Sequence, residues 1–106
     1  MAVFFETSVF TRRVTGLLSD DEYAELQQAL AANPSAGDVI PGSGGLRKIR
    51  WAIRGHGKRG EVRVIYYHLT SRDQFYMLLV YGKNEQDDLT PEQLRMLRRA
   101  AEAIWR

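Results

Sequence analysis

Between Gly42 and Arg63 stand seven basic residues, Arg47, Lys48, Arg50, Arg54, Lys58, Arg59 and Arg63, opposed only by Glu61. That stretch carries +6, while the remaining eight basic and twelve acidic residues carry −4. The formal net charge of +2 therefore conceals a positive segment on a mildly acidic body. Such asymmetry points to a polyanionic partner: nucleic acid, an anionic membrane surface or an acidic protein. Lys48 and Arg50 are two residues apart, so on a strand they project from one face. Arg63, on the next strand, can join them by cross-strand pairing. Guanidinium groups fork onto phosphate oxygens, lysine supplies a mobile point charge, and tyrosine rings stack on unpaired bases. Tyr66, Tyr67, Tyr76 and Tyr81 lie in the same region. The combination fits single-stranded RNA; its alternative is a solvated basic face with the tyrosines packed in the core.

Other chemistries find little support. The 106 residues contain no cysteine, which excludes disulfides, thiol catalysis and thiolate metal sites. Gly42-Ser43-Gly44-Gly45 lacks the lysine and serine of a phosphate-binding Walker loop and reads as a turn. His56 and His68 show no acidic partner pattern, so neither a metal site nor a catalytic triad follows. Asp20-Asp21-Glu22 and Asp87-Asp88 are explained by helix starts and solvated loops. No metal and no cofactor are expected. No apolar run reaches the roughly 20 residues needed to span a bilayer, and the N-terminus lacks signal-peptide character. The basic residues sit on strands rather than on an amphipathic helix, which argues against a membrane surface.

The elements that must position these groups follow from periodicity. Residues 2–6 read as a strand. Ser8 to Leu17 reads as a helix burying Val9, Val14, Leu17 and Leu18. Ser19-Asp20-Asp21-Glu22 has the form of a capping box and opens a helix from about Asp20 to Ala32. Asn33-Pro34 ends it, and a Gly/Pro-rich loop runs to Gly45. The period then becomes alternating: Leu46–Ile53, Glu61–Leu69 and Gln74–Tyr81 read as an antiparallel meander, with a basic loop at Gly55–Gly60 and a turn at Thr70–Asp73. Gln74–Tyr81 is nearly unbroken in its apolar character, as a two-sided central strand would be. Thr90-Pro91-Glu92-Gln93 is a second capping box, opening a helix from Pro91 to about Trp105. Residues 1–106 are thus expected to form a single α+β domain, with an antiparallel sheet in β-α-α-β-β-β-α order and helices on one face.

Several strings together resemble the HigB-like branch of the RelE toxin superfamily: Gly44-Gly45-Leu46-Arg47-Lys48-Ile49-Arg50, Gly57-Lys58-Arg59-Gly60, Arg63-Val64-Ile65-Tyr66-Tyr67 and Tyr81-Gly82-Lys83-Asn84-Glu85. Leu18 to Tyr23 and Asn33-Pro34 extend the likeness over the whole chain. The resemblance implies a cytoplasmic, metal-independent endoribonuclease that cuts mRNA in the A site of the 70S ribosome. It also implies neutralisation by a cognate HigA-like helix-turn-helix antitoxin. The implied reaction is attack of an RNA 2′-hydroxyl on the adjacent phosphate. On that pattern Arg63 stabilises phosphate charge, Lys48 is the base candidate, Arg50 stands where RelE has another lysine, and Lys83 is a further catalytic candidate. Arg47, Lys58, Arg59, Tyr67 and Tyr81 are the expected RNA contacts, Lys58 and Arg59 on ribosomal RNA. Asn84 stands where RelE has an arginine, and Thr90 where RelE has a tyrosine. The alternative is a non-catalytic RNA- or antitoxin-binding module of the same fold.

Overall fold

The computed structural model describes residues 1–55 and 58–105, with the side chains of Arg54, Lys58, Arg59 and Trp105 outside the described set. His56, the loop histidine, lies outside the described residues. The chain runs β1 (Val3–Glu6), α1 (Ser8–Leu17), α2 (Asp20–Ala32), β2 (Asp38–Val39), β3 (Arg47–Gly55), β4 (Lys58–Leu69), β5 (Gln74–Gly82) and α3 (Pro91–Trp105). The strands form one sheet in the order β1-β5-β4-β3-β2.

Local chemistry accounts for the helix starts. The Ser19 hydroxyl accepts the Glu22 N–H, and the Glu22 carboxylate accepts the Ser19 N–H, so the expected capping box is formed. Thr90 and Gln93 make the same reciprocal pair at 3.1 and 3.0 Å ahead of α3. Thr7 caps α1 by accepting the Phe10 N–H at 3.1 Å and donates to the Leu78 carbonyl at 2.8 Å. Leu78 is the extra residue where the β4–β5 register shifts from Ile65↔Leu79 to Tyr66↔Met77. A bulge disturbs the ladder locally, and Thr7 satisfies the bulged residue's carbonyl from the side.

Alternation along the strands divides the core in two. On one face Val62, Val64, Tyr66, Phe75, Met77 and Val80 pack with Phe10 and Val14 of α1 and Leu26 and Leu30 of α2. On the other, Ile65, Leu78 and Tyr81 pack with Leu46 and with Ala101 of α3, flanked by Leu97 and Ile104. The α+β architecture and the β3–β4–β5 meander agree with expectation, and β5 is two-sided as read.

The structure corrects the reading in several respects. The helices are not confined to one face: α3 covers the side opposite α1 and α2, because its apolar stripe matches the odd-numbered residues of β4 rather than the even. The sheet is mixed, not antiparallel, since β1 pairs parallel with β5 from Val3↔Gln74 to Glu6↔Met77. A short β2 adds a fifth strand, Asp38 opposite Lys48 and Val39 opposite Arg47. The hairpin arms reach Gly55 and start again at Lys58, which shortens the expected basic loop. In α1 Val14 is buried as expected, but its companion is Phe10, whereas Val9 is 39% exposed.

Candidate active site

The β3–β4 register sets Arg50 opposite Arg63 and Lys48 opposite Ile65, and the β4–β5 register sets Arg63 opposite Tyr81. Arg50, Arg63 and Tyr81 therefore form a row across three strands on the α3 side of the sheet, with Lys48 diagonal to it. Like charges directly across a strand pair repel, so the Arg50–Arg63 pairing is a local cost. Such a conflict within an otherwise consistent sheet marks a place where an anion would be welcome.

Arg63 is 6% exposed, an unusual environment for a guanidinium. One of its terminal nitrogens donates to Glu61 Oε1 at 2.9 Å, while its Nε has no partner among the described residues. The Tyr81 hydroxyl is likewise buried without a partner. Burial raises the Tyr81 pKa, and the Asp88 carboxylate raises it further against the opposing pull of Arg63 and Arg50. The phenol therefore keeps its proton and is available as a hydrogen-bond donor. Lys48 Nζ meets Asp88 Oδ1 at 3.1 Å. That hydrogen bond and the Lys48 charge hold the Asp88 carboxyl below its ordinary range, with a smaller contribution from Arg63. Three cations, Lys48, Arg50 and Arg63, thus face two carboxylates, Glu61 and Asp88.

Other expected residues lie elsewhere. Arg47 shares the parity of Ile49 and Trp51, not of Lys48. Its guanidinium donates to the Gly37 carbonyl at 2.7 Å and ties the loop after α2 to β3, so its placement is structural. Tyr67 is half-buried against the α3-side cluster. A Cβ at Gly45, where φ is +102°, would sit 3.2 Å from its ring. Lys83 is exposed and donates its backbone N–H to Glu61 O at 3.0 Å. It borders a cleft of about 430 Å³ with Leu17, Ile53 and Val62, which belong to the α1 side of the sheet, and with Glu61. The structure therefore brings Lys48, Arg50, Arg63 and Tyr81 together, keeps Tyr67 on the same face, sets Lys83 at the edge beside Glu61 and turns Arg47 to the opposite face. Lys58 and Arg59 pair with Gly55 and Arg54 at the end of the hairpin, and their side chains lie outside the described residues.

Glu61 and Asp88 are the site residues that sequence reasoning missed. Glu61 was legible: two residues before Arg63 on a strand, it must share its face. Asp88 carried no local signal, because an acidic turn before a helix explains itself. His68 also departs from expectation: its Nε2 lies 3.0 Å from Asp73 Oδ1, beside the Phe75 ring. Asp73 adopts positive φ in the turn that makes this pair, which a linear pattern does not reveal.

The turn after β5 is clamped from α1. Arg13 Nε donates to Val80 O at 2.8 Å, its guanidinium pairs with Glu85, and Glu85 accepts the Gly82 N–H at 2.9 Å. The Gly82 amide and Arg13 hold the Glu85 carboxyl below its usual value. Among the described residues no His, Cys, Asp or Glu group converges to hold a metal ion. Nor is any helix among them long and apolar enough to cross a membrane.

The family model for the RelE toxin of RelE/RelB toxin–antitoxin systems matches residues 2–106. The match covers the elements of the five-stranded mixed sheet and its helices, and the chain belongs to the RelE toxin family.

Proposed function

We propose that this protein is a HigB-like, ribosome-dependent endoribonuclease that cuts mRNA in the ribosomal A site of the cytoplasm. Its partners on this reading are the 70S ribosome with its RNA, and a cognate HigA-like helix-turn-helix antitoxin that silences it. The observation that carries the reading is the row of Arg50, Arg63 and Tyr81 beside Lys48, with Arg63 Nε and the Tyr81 hydroxyl both unpartnered. Buried polar groups left unpaired cost stability, and functional sites are where such costs persist.

In the proposed reaction the RNA 2′-oxygen forms a bond to the neighbouring phosphorus as the bond from phosphorus to the 5′-oxygen breaks. The products are a 2′,3′-cyclic phosphate and a free 5′-hydroxyl. Negative charge gathers on the phosphoryl oxygens, where Arg63 and Arg50 act as fixed cations in a partly water-excluded site. Lys48, an ammonium paired with Asp88, adds a third cation at the phosphate, and the 2′-hydroxyl proton passes to water. Tyr81, which keeps its own proton, is placed to donate toward the departing 5′-oxygen. Lys83 acts from the edge, and Lys58 and Arg59 supply ribosomal RNA contacts at the hairpin end.

Mapping mRNA 5′ ends after induced expression without antitoxin tests this. New ends that require translation are expected with wild type and absent with Arg63→Ala. Soluble wild-type protein that binds RNA without producing such ends would establish the non-catalytic module instead.

A further inference from the structure

Arg63 and Tyr81 are only 6% and 1% exposed, too enclosed for a phosphate to reach without movement nearby. The segment between β5 and α3 supplies the neighbouring cover. Asp88 Oδ1 lies 3.1 Å from Lys48 Nζ. Its charge is felt at both Arg63 and Tyr81. Leu89, the next residue, packs against the cluster that contains Tyr81. Thr90 is fixed by its reciprocal bonds to Gln93, whereas residues 87–89 are held by short-range bonds: Gln86 Nε2 donates to Asp88 O at 2.8 Å and the Leu89 N–H to Asp88 Oδ1 at 3.3 Å. The Asp88 side chain is 78% exposed, so water competes for its bond to Lys48 and breaking that bond is inexpensive.

A carboxylate and a phosphodiester present the same thing to a lysine, a pair of anionic oxygens. We infer that Asp88 is an internal stand-in for the RNA phosphate: in the RNA-free protein it occupies Lys48, and incoming RNA takes its place and releases residues 87–89 from Arg63 and Tyr81. This rests on the nuclease reading and adds a control to the same site. With Asp88 in place the three cations carry two carboxylate neighbours. With Asp88 displaced only Glu61 remains, and the gain in positive potential coincides with arrival of the phosphate. The contact thus keeps the site quiet toward stray anions and yields to a strand delivered in the right position.

The test uses the whole protein and a fluorescein-labelled single-stranded RNA oligomer with 2′-O-methyl riboses, which binds but is not cut. Asp88→Asn and Asp88→Ala are expected to tighten binding by about two- to fivefold, the range of an exposed ion pair. Asp87→Asn, which removes the same charge one residue away, is expected to change it by less than about twofold. Amide hydrogen exchange over residues 87–89 should rise when RNA binds to wild type. Unchanged or weaker binding by both Asp88 variants, an Asp87→Asn effect equal to theirs, or slower exchange on binding would each overturn the stand-in. Arg63→Ala separates the two levels. If it binds RNA as wild type does, the RNA face itself is wrong. If it binds weakly while the Asp88 variants match wild type, only the stand-in fails.

Discussion

Tyr66 and Tyr81 lie on adjacent strands, are fully buried, and point to opposite faces of one sheet. Tyr66 ends in a closed arrangement: its hydroxyl donates to Pro34 O at 2.7 Å and accepts the Gly37 N–H at 3.0 Å. Gly37 permits this because a Cβ there would lie 2.9 Å from the Tyr66 ring. Tyr81 ends with no partner, beside a guanidinium whose Nε is also unpaired. The α1/α2 face completes its polar bonds and is built for stability. The α3 face leaves polar groups waiting at the border of a smaller core. One strand, β4, serves both, its even residues feeding the first face and Arg63 the second.

The contrast can be broken most directly on the α1/α2 side. Phe75 is fully buried there and stacks on Phe4 with ring centroids 4.6 Å apart. Phe75→Ala should cost about 3–5 kcal/mol, measured by urea unfolding. On the other face Arg63→Ala should lower cleavage by about 10²–10³-fold, the effect of removing one charge-stabilising donor. Its urea midpoint should move far less than that of Phe75→Ala; a loss of cleavage that merely tracks unfolding would erase the distinction between faces.

The tyrosines give the sharper pair. Tyr66→Phe leaves Gly37 N–H and Pro34 O without their partner and should cost about 1–3 kcal/mol. Tyr81→Phe removes a buried hydroxyl that bonds to nothing, so stability should hold or rise by up to about 1 kcal/mol while cleavage falls. Equal destabilisation by both would contradict the division of labour.

Acid gives the smallest effect. Asp88 and Glu85 have lowered pKa values in the folded protein. Their stabilising contribution is therefore present above the ordinary carboxylate value of about 4 and is lost as pH falls through the folded values. Both side chains are exposed, so the change in urea midpoint between pH 7 and pH 3 should be modest. Glu85→Gln with Asp88→Asn should reduce it.

What the sequence revealed follows the range of the forces involved. The ends of α2 and α3 were legible because Ser19 with Glu22, and Thr90 with Gln93, form within four residues. Alternation placed Lys48 and Arg50 on one face and, taken one residue further, would have placed Arg47 on the other. The parallel β1–β5 pairing was hidden, since neither strand records which neighbour it will meet. The side taken by α3 was equally hidden, because β5 is apolar on both faces and accepts a helix on either. Asp88 reaches Lys48 only through the tertiary path of the segment after β5, and no local pattern encodes that path.

The parallel pairing of β1 with β5 sets the order of assembly against the order of synthesis. Val3 meets Gln74, and Thr7 bonds to Leu78 O from 71 residues away. β1 is thus among the last strands to be paired, after the β3–β4–β5 meander has closed through its shorter turns. Until then the Thr7 cap, the bulge at Leu78 and the Phe4–Phe75 stack do not exist. A nascent chain of this toxin therefore stays structurally incomplete until residues near 78 have emerged.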